Sequence, residues 1–214
     1  MLNKTEQDIT SLLLRAPYEA YTVYGIAKRL NRYVSQVQKA VKHLEKIKTV
    51  SVKKLGLKTS SCTLNFSKAD ADILAYTALY AKKLFLEKNL KVKVISNEIE
   101  KRFGGEMYIM LIFGSYAKGN AAKKSDMDLC FIIQDEVNIE KFKLKIKSIL
   151  SRFSYKIHIN VFTTEWFYNM LKEKDTVGRE ILKASVVLHG ADIYYNLVKK
   201  YDQEAGYSES ESAI

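Results

Sequence analysis

The chain has 214 residues, 47% of them apolar, and a formal net charge of +11 at pH 7. This length allows one large domain or two small ones, and the apolar fraction is sufficient for a packed core. A single proline and nine glycines exclude collagen-like chains and Pro/Gly-rich disordered chains.

Signals for secretion, membrane insertion and zinc binding are not recognisable. The N-terminus lacks the basic and apolar regions of a signal peptide, and no apolar run reaches transmembrane length. Cys62 and Cys130 belong to no Cys/His cluster, so two reduced thiols are expected instead of a zinc site. The sequence therefore predicts a cytoplasmic protein that does not contact a membrane.

Positive charge is concentrated near the N-terminus. Residues 1–66 contain 12 Lys and Arg against 4 Asp and Glu, whereas residues 67–214 contain 23 against 20. Such an excess indicates a polyanionic partner for the first third of the chain, and its alternative explanation is a solvated surface that keeps the protein soluble.

The pattern of residues 1–66 predicts three helices followed by a β-hairpin. Apolar spacing places the helices over residues 3–14, Val23–Leu30 and Gln36–Ile47. Ser35 is expected to be the N-cap of the third helix. The two strands of the hairpin are predicted over Val50–Leu55 and Cys62–Phe66. This order is that of a winged helix-turn-helix, a fold that binds DNA but also serves as a protein-docking module.

A DNA-binding winged helix would place its third helix in the major groove and its hairpin along the phosphates. The polar side chains that the helix would offer to base edges are Gln36, Gln38, Lys39 and Lys42. The cations that the hairpin would offer to the backbone are Lys53, Lys54 and Lys58.

Residues 67–104 are predicted to be a helical connector. Ser67 is expected to cap a helix that runs to Lys88, and a second helix covers Lys91–Phe103. The glycine pair at 104 and 105 is expected to end the second helix.

An α/β segment follows the connector and extends to residue 201. Its strands are predicted over Met107–Phe113, Met127–Ile133 and Tyr155–Phe162. Its helices are predicted over Ile139–Phe153, from Glu165 after a Thr164 cap, over Gly178–Leu188 and over Asp192–Lys200. Residues 202–214 contain acidic side chains and no Lys or Arg, which predicts a disordered tail.

The stretch between the first two strands of this segment has the features of a phosphate site. A strand that runs into Gly114-Ser115 and a short helix presents backbone N–H groups that favour an anion. The Ser115 hydroxyl, the charge of Lys118 and the nearby Lys123 and Lys124 add to this preference.

Two carboxylates follow on the next strand. Residues i and i+2 of a strand point the same way, so Asp126 and Asp128 should project together while Met127 and Leu129 face the core. Two close carboxylates repel each other, and a magnesium ion with substrate phosphates would relieve that repulsion. The combination indicates nucleotidyl transfer assisted by metal ions. The alternative is structural, with Asp126 capping a turn and Asp128 in a salt bridge.

The pattern Gly114-Ser115, ten residues and Asp126-x-Asp128 resembles the signature of the polymerase β-like nucleotidyltransferase superfamily. The stretch FGSYAKGNAAKKSDMDL is most similar to the minimal nucleotidyltransferases of archaea and bacteria, and the resemblance covers roughly residues 107–164. It implies a small mixed sheet flanked by helices. The implied fold class is thus α/β of the α+β type, with a winged helix-turn-helix at residues 1–66 and a nucleotidyltransferase domain at residues 105–201.

The resemblance also implies roles for individual residues. Gly114 and Ser115, with Lys118 and Ser125 beside them, would hold a nucleoside triphosphate, and Asp126 and Asp128 would ligate Mg²⁺. Minimal nucleotidyltransferases often pair with HEPN-type proteins in toxin–antitoxin systems, so the resemblance raises such a partner as well.

One departure from the family concerns its third carboxylate, which lies on a neighbouring strand. In the stretch YKIHINVFTTEWF the corresponding position is His158, with Asn160 on the same face. A neutral histidine can act as a base or ligate a metal, although imidazole suits magnesium poorly. His158 is alternatively a structural residue at the sheet surface.

Two functions therefore remain open at the level of the sequence. The first is an enzyme that transfers a nucleoside monophosphate to a hydroxyl of a protein, an RNA or a small molecule. The second is a DNA-binding regulator, or an antitoxin-like protein, whose nucleotide-binding domain has lost catalysis.

Overall fold

A computed structural model describes residues 2–56, 59–103, 108–122 and 125–205 of the chain. The chain forms two compact units, one of residues 1–80 together with 195–214 and one of residues 81–194. The connector predicted at residues 67–104 is thus divided within its first helix, because the first unit ends at residue 80 and the second begins at residue 81.

The first unit combines three helices with a small antiparallel sheet. Its helices before residue 66 are α1 (Lys4–Arg15), α2 (Val23–Leu30) and α3 (Val34–Lys46). Its strands are β1 (Tyr21–Thr22), β2 (Val50–Lys54) and β3 (Ser60–Leu64), in the spatial order β1-β3-β2. Apolar side chains from all three helices are fully buried between them: Ile9, Leu13, Ile26, Val37 and Leu44.

The ends of α3 and of the hairpin differ from the sequence prediction. Ser35 lies inside α3, and the N-cap is Tyr33, whose side chain makes no capping hydrogen bond. The two strands end at Lys54 and Leu64, and they are joined by residues 55–59, of which 57 and 58 lie outside the described residues. The exposed ends of helices and strands make few packing contacts, so their predicted boundaries differ from the observed ones by a residue or two.

The long helix α4 (Ala71–Lys88) begins three residues later than a helix capped by Ser67 would. Oδ1 of Asp70 accepts hydrogen bonds from the backbone N–H groups of Asp72 and Ile73, so Asp70 is the capping residue. The hydroxyl of Ser67 instead donates to Oδ1 of Asn65 in the turn that follows β3.

The last helix, α10 (Ala191–Ala205), continues past the point where the tail was predicted to begin. Residues 202–205 are therefore helical, and 206–214 lie outside the described residues. Asp202 is buried, and its Oδ1 accepts a hydrogen bond from the Tyr18 hydroxyl at 3.5 Å. Nζ of Lys199 donates to the carbonyl of Ala69 at 2.8 Å. These contacts join the end of α10 to the first unit.

The second unit contains a four-stranded mixed sheet in the order β6-β5-β4-β7. Its strands are β4 (Tyr108–Phe113), β5 (Met127–Ile133), β6 (Ile157–Thr163) and β7 (Ser185–His189). Its helices are α5 (Leu90–Phe103), α6 (Gly114–Lys118), α7 (Ile139–Leu150), α8 (Thr164–Lys172) and α9 (Val177–Lys183).

Strand directions follow from the connections. β4 is antiparallel to β5 and to β7, whereas β5 and β6 are parallel because α7 carries the chain back between them. A core forms on one face of the sheet, where alternate side chains of the strands pack against α5 and α7. Its largest members include Tyr108, Phe131, Phe103 and Phe142, whose rings contact one another.

Two predicted elements near the C-terminus are wrong. The helix predicted over Gly178–Leu188 ends at Lys183, and β7 follows, because Ser-Val-Val-Leu-His contains β-branched residues and pairs with the edge of β4. Thr163, not Thr164, is the N-cap of α8, since its Oγ1 accepts from the N–H of Trp166. None of the helices within the described ranges is both long enough and apolar enough to cross a membrane.

Asp202 gives the first unit a predictable pH dependence. Burial raises the pKa of this carboxyl above its usual value of 3.8, although hydrogen bonds from Ser67 and Tyr18 oppose the shift. The folded state then favours the protonated group, so its stabilising contribution is complete below the unfolded pKa and is lost as the pH rises through the folded pKa. We expect Asp202→Asn to raise the melting temperature at pH 7 and to change it little near pH 3.

Thermal unfolding followed by circular dichroism at both pH values measures this effect. Asp202→Ala is the control, because it removes the acceptor along with the charge and should lower the melting temperature at both pH values. A melting temperature of Asp202→Asn below that of the wild type at pH 7 would contradict the account.

Candidate active site

The turn from β4 into α6 packs directly against a carboxylate of β5. Gly114 has φ +66°, and the preceding residue, Phe113, pairs with Asp128 across the antiparallel ladder. A Cβ atom built on Gly114 would lie 2.5 Å from Oδ2 of Asp128. Only glycine therefore combines the left-handed backbone of this turn with the close approach of the carboxylate.

The two aspartates of β5 share one face, as alternation along a strand predicts. Met127 and Leu129 lie in the core, and the side chains of Asp126 and Asp128 are 30% and 28% exposed. The carboxylates therefore open to solvent at the end of a buried strand. Solvent access lowers the cost of keeping both ionised.

The neighbouring strand β6 brings two nitrogen-containing side chains to the pair. His158 is the register partner of Asp128, with Nδ1 at 3.3 Å from its Oδ1 and Nε2 at 3.9 Å from Oδ2 of Asp126. Nζ of Lys156 lies 2.6 Å from Oδ2 of Asp126. Two carboxylates, an imidazole and an ammonium thus meet at one end of the sheet.

Lys156 was missed in the sequence, although a signal for it existed. It stands two residues before His158 in the stretch YKIHINV, and strand alternation extended back by one step places both on the same face. Asn160, two residues further on, pairs in register with the buried Cys130.

The remaining residues predicted to hold the nucleotide have different roles in the loop. Ser115 lies in the first turn of α6, where its carbonyl accepts a hydrogen bond from the N–H of Asn120, and the exposed Lys118 ends that helix. Ser125 closes the loop through two hydrogen bonds with Ala122, of 2.8 and 3.0 Å. Lys123 and Lys124 lie outside the described residues.

The donor set of the site suits a metal that arrives with a phosphate ligand. Across the described residues, no three His, Cys, Asp or Glu side chains are arranged to hold a metal ion. Mg²⁺ is usually bound by one or two carboxylates plus substrate phosphates and water, and Asp126 and Asp128 supply the carboxylate part. His158, and not a carboxylate, lies beside Asp128 on β6.

The side chains predicted to contact nucleic acid lie on the surface of the first unit. Those on α3 and β2 are exposed: Gln36, Gln38, Lys39, Lys42, Lys53 and Lys54. Lys58 lies outside the described residues. Two exposed aromatic residues near the starts of α2 and α3, Tyr24 and Tyr33, were not among the residues that the sequence predicted for this surface.

The hairpin also carries a groove of about 460 Å³. Its lining includes the small hydroxyl side chains of Ser51, Ser61 and Thr63, and its cationic side chains are Lys48, Lys53 and Lys68. Glu45 also lines the groove.

Comparison with protein families bears on the second unit. Residues 93–194 match the family described as "Polymerase beta, Nucleotidyltransferase". This part of the chain is similar to nucleotidyltransferase domains. The match covers β4, β5 and β6 and thus every side chain of the site described above.

A curated relative is similar over a shorter stretch. It is a protein of Methanocaldococcus jannaschii whose name describes it as a protein adenylyltransferase, and it is 33% identical over 64 residues. The alignment covers 29% of this chain and 43% of the relative. The chain thus spans less than half the length of that relative.

Two solved structures show weak similarity. One, described as a toxin–antitoxin with AMP-PNP, is 15% identical, covers 54% of this chain and 90% of its own, and has a TM-score of 0.37. The other, TrmBL2, an archaeal chromatin protein, is 14% identical, covers 85% of this chain and 70% of its own, and has a TM-score of 0.28. Neither score is high enough to support an argument about this chain.

The contact between Gly114 and Asp128 gives a test of the site. If the site binds a magnesium-bound nucleoside triphosphate, we expect Gly114→Ala to lower that affinity at least tenfold, because the new methyl group would push the carboxylate away from the turn. Isothermal calorimetry measures the affinity, and circular dichroism checks the fold.

Gly119→Ala is a matched control for backbone strain. Gly119 has φ +75°, but a Cβ there would have no neighbour within 4 Å. In both variants the positive φ should lower the free energy of unfolding by about 1 kcal/mol, and only Gly114→Ala should lower the affinity for the nucleotide. Equal affinities for the two variants would show that the contact with Asp128 is unimportant.

Proposed function

We propose that the second unit transfers a nucleoside monophosphate from a magnesium-bound nucleoside triphosphate to a hydroxyl group and releases pyrophosphate. The observation that carries this proposal is the contact of the Gly114 turn with the carboxylate of Asp128, within a segment that matches the nucleotidyltransferase family. It joins an anion-binding turn to a metal-binding carboxylate in one place.

The residues of the site have distinct roles in this proposal. Asp126 and Asp128 hold Mg²⁺, which supplies positive charge for the phosphates of the nucleotide. The backbone near Gly114, the hydroxyl of Ser115 and the ammonium of Lys118 bind those phosphates. Ser125 fixes the loop that leads to Asp126.

His158 is the proton acceptor in this scheme. Its Nδ1 lies 3.3 Å from Oδ1 of Asp128, so it would accept the proton of a hydroxyl that attacks a nucleotide bound at this carboxylate. A neutral imidazole is a suitable general base near neutral pH.

A protein hydroxyl is the acceptor that we favour, because the curated relative is named as a protein adenylyltransferase. A hydroxyl at an RNA end or on a small molecule is the alternative acceptor for the same transfer reaction. A HEPN-type protein is the partner that the resemblance to minimal nucleotidyltransferases implies, and it would supply such a protein hydroxyl in trans.

Calorimetric titration with each ribonucleoside triphosphate and Mg²⁺ tests the proposal without knowledge of the acceptor. We expect at least one triphosphate to bind the wild type in a metal-dependent manner. The variant Asp126→Ala/Asp128→Ala should lose that binding, because it removes both carboxylate ligands of the metal.

A folded wild-type protein that binds none of the four triphosphates would contradict the enzymatic proposal. Binding that the double variant keeps unchanged would mean that the nucleotide occupies another site.

The first unit is, in our proposal, a winged helix-turn-helix that binds DNA. Three features support this: the order of three helices and a hairpin, the polar exposed surface of α3, and the lysine-lined groove of the hairpin. Tyr24 and Tyr33, which are 69% and 76% exposed, extend the same surface with rings that can pack against sugars or bases.

A second candidate function is a DNA-binding regulator, or an antitoxin-like protein, that binds a nucleotide without catalysis. The observation that favours it is His158, which stands beside Asp128 in place of a carboxylate. In that case the second unit senses a nucleotide or docks a partner, and the first unit carries out the regulation by binding DNA.

The surface of α3 gives a test that applies to both candidates. We expect Lys39→Ala/Lys42→Ala to weaken binding to duplex DNA, and the slope of log K against log salt to decrease by about one for each phosphate contact that is lost. Fluorescence anisotropy with a labelled duplex at several salt concentrations measures both quantities.

Lys141→Ala/Lys147→Ala is the matched control, because it removes the same charge from exposed positions of α7 in the other unit. If the two variants weaken DNA binding equally, the effect is one of net charge and α3 is not the interface.

A further inference from the structure

The contact between Lys156 and Asp126 involves an oxygen that a metal ion would need. Nζ of Lys156 lies 2.6 Å from Oδ2 of Asp126, which is the distance of a direct charge-assisted hydrogen bond. Asp126 and Asp128 are the two carboxylates to which we assign the magnesium ion. The ammonium is therefore already bonded to an oxygen that would ligate the metal.

The backbone fixes this arrangement. The N–H of Met127 donates to the carbonyl of Lys156 at 3.0 Å, and the parallel ladder of β5 and β6 continues from Met127 and Ile157 onward. Lys156 thus belongs to the hydrogen-bonded end of the sheet, directly beside Asp126. Its side chain is 71% exposed, so it can leave the carboxylate without disturbing the core.

Each carboxylate at this end of the sheet has a nitrogen-containing side chain beside it. Asp126 is paired with Lys156, and Asp128 is within hydrogen-bond reach of His158. A divalent cation that approaches Asp126 without a nucleotide has to displace the ammonium of Lys156, and it is also repelled by the positive charge of that ammonium. A metal ion that arrives with a triphosphate brings negative charge, which offsets that repulsion.

We propose that Lys156 is the resident counter-ion of Asp126 and opposes occupation of the site by a free divalent cation, so that metal binds with the nucleotide. This inference rests on the proposed function, since it concerns the same carboxylates. It assigns Lys156 a positioning role: the residue acts on the metal through Asp126.

Direct titration of the nucleotide-free protein with Mn²⁺ tests the inference. We expect Lys156→Met, which keeps the length of the side chain and removes its charge, to bind free Mn²⁺ about tenfold more tightly than the wild type. Adding a triphosphate should then increase Mn²⁺ affinity less in the variant than in the wild type. Calorimetry and the electron paramagnetic resonance signal of free Mn²⁺ provide two readouts that do not depend on activity.

Three controls separate the contact from other effects of charge. Lys156→Arg keeps the positive charge and should bind Mn²⁺ as weakly as the wild type. Lys141→Met removes one charge from an exposed position of α7 in the same unit and should also resemble the wild type. The double variant Lys156→Met/Asp126→Ala should not show the increased affinity for free Mn²⁺, because the tighter binding of Lys156→Met depends on the released carboxylate.

The outcomes distinguish this inference from the proposed function. If the wild type binds Mn²⁺ with a triphosphate and Lys156→Met gains no affinity for free Mn²⁺, the role of Lys156 is wrong and the proposed function stands. An equal gain in Lys141→Met would also overturn that role, because it would reflect net charge. If neither protein binds Mn²⁺ with or without a triphosphate, both proposals are wrong.

Discussion

The geometry of the site depends on the pairing of β4 with β5. This antiparallel ladder ends with Phe113 opposite Asp128, so the chain must turn away immediately beside a carboxylate. Gly114 makes the turn possible, because its backbone has a positive φ and no Cβ that would collide with Oδ2 of Asp128. The start of α6 and the aspartate pair are therefore held together by the sheet itself.

The nitrogen-containing partners of the two aspartates distinguish this site from one made of carboxylates alone. Parallel pairing of β5 with β6 places His158 beside Asp128 and Lys156 beside Asp126. Each carboxylate thus has a nitrogen partner in the absence of metal, and both side chains remain open to solvent. In our proposal, nucleotide binding at this site starts with an exchange of partners. Both candidate functions are consistent with that step, and they differ only in whether a transfer follows it.

The first unit contains residues from both ends of the chain. The end of α10 contacts it through Lys199 and through the buried Asp202, whose carboxyl accepts a hydrogen bond from Tyr18. The polar surface of α3 lies in the same unit, as does the lysine-lined groove of the hairpin. The concentration of positive charge seen in the first 66 residues thus belongs to one compact unit, which supports a polyanionic partner for that unit.

The sequence by itself determined most of the elements and the core of the site, because these depend on local periodicity and on residues close in the chain. The bounds of α2 and β5 agree with the prediction, and the Gly-Ser and Asp-x-Asp spacing identified the residues that the structure brings together. Tertiary structure decided the rest. Ser185–His189 became a strand because β4 offers an edge, the tail residues up to Ala205 became helical because Asp202 and Lys199 have partners in the first unit, and Lys156 joined the site because β6 pairs in parallel with β5. Each of these outcomes depends on a partner distant in sequence, and local propensity carries no information about such a partner.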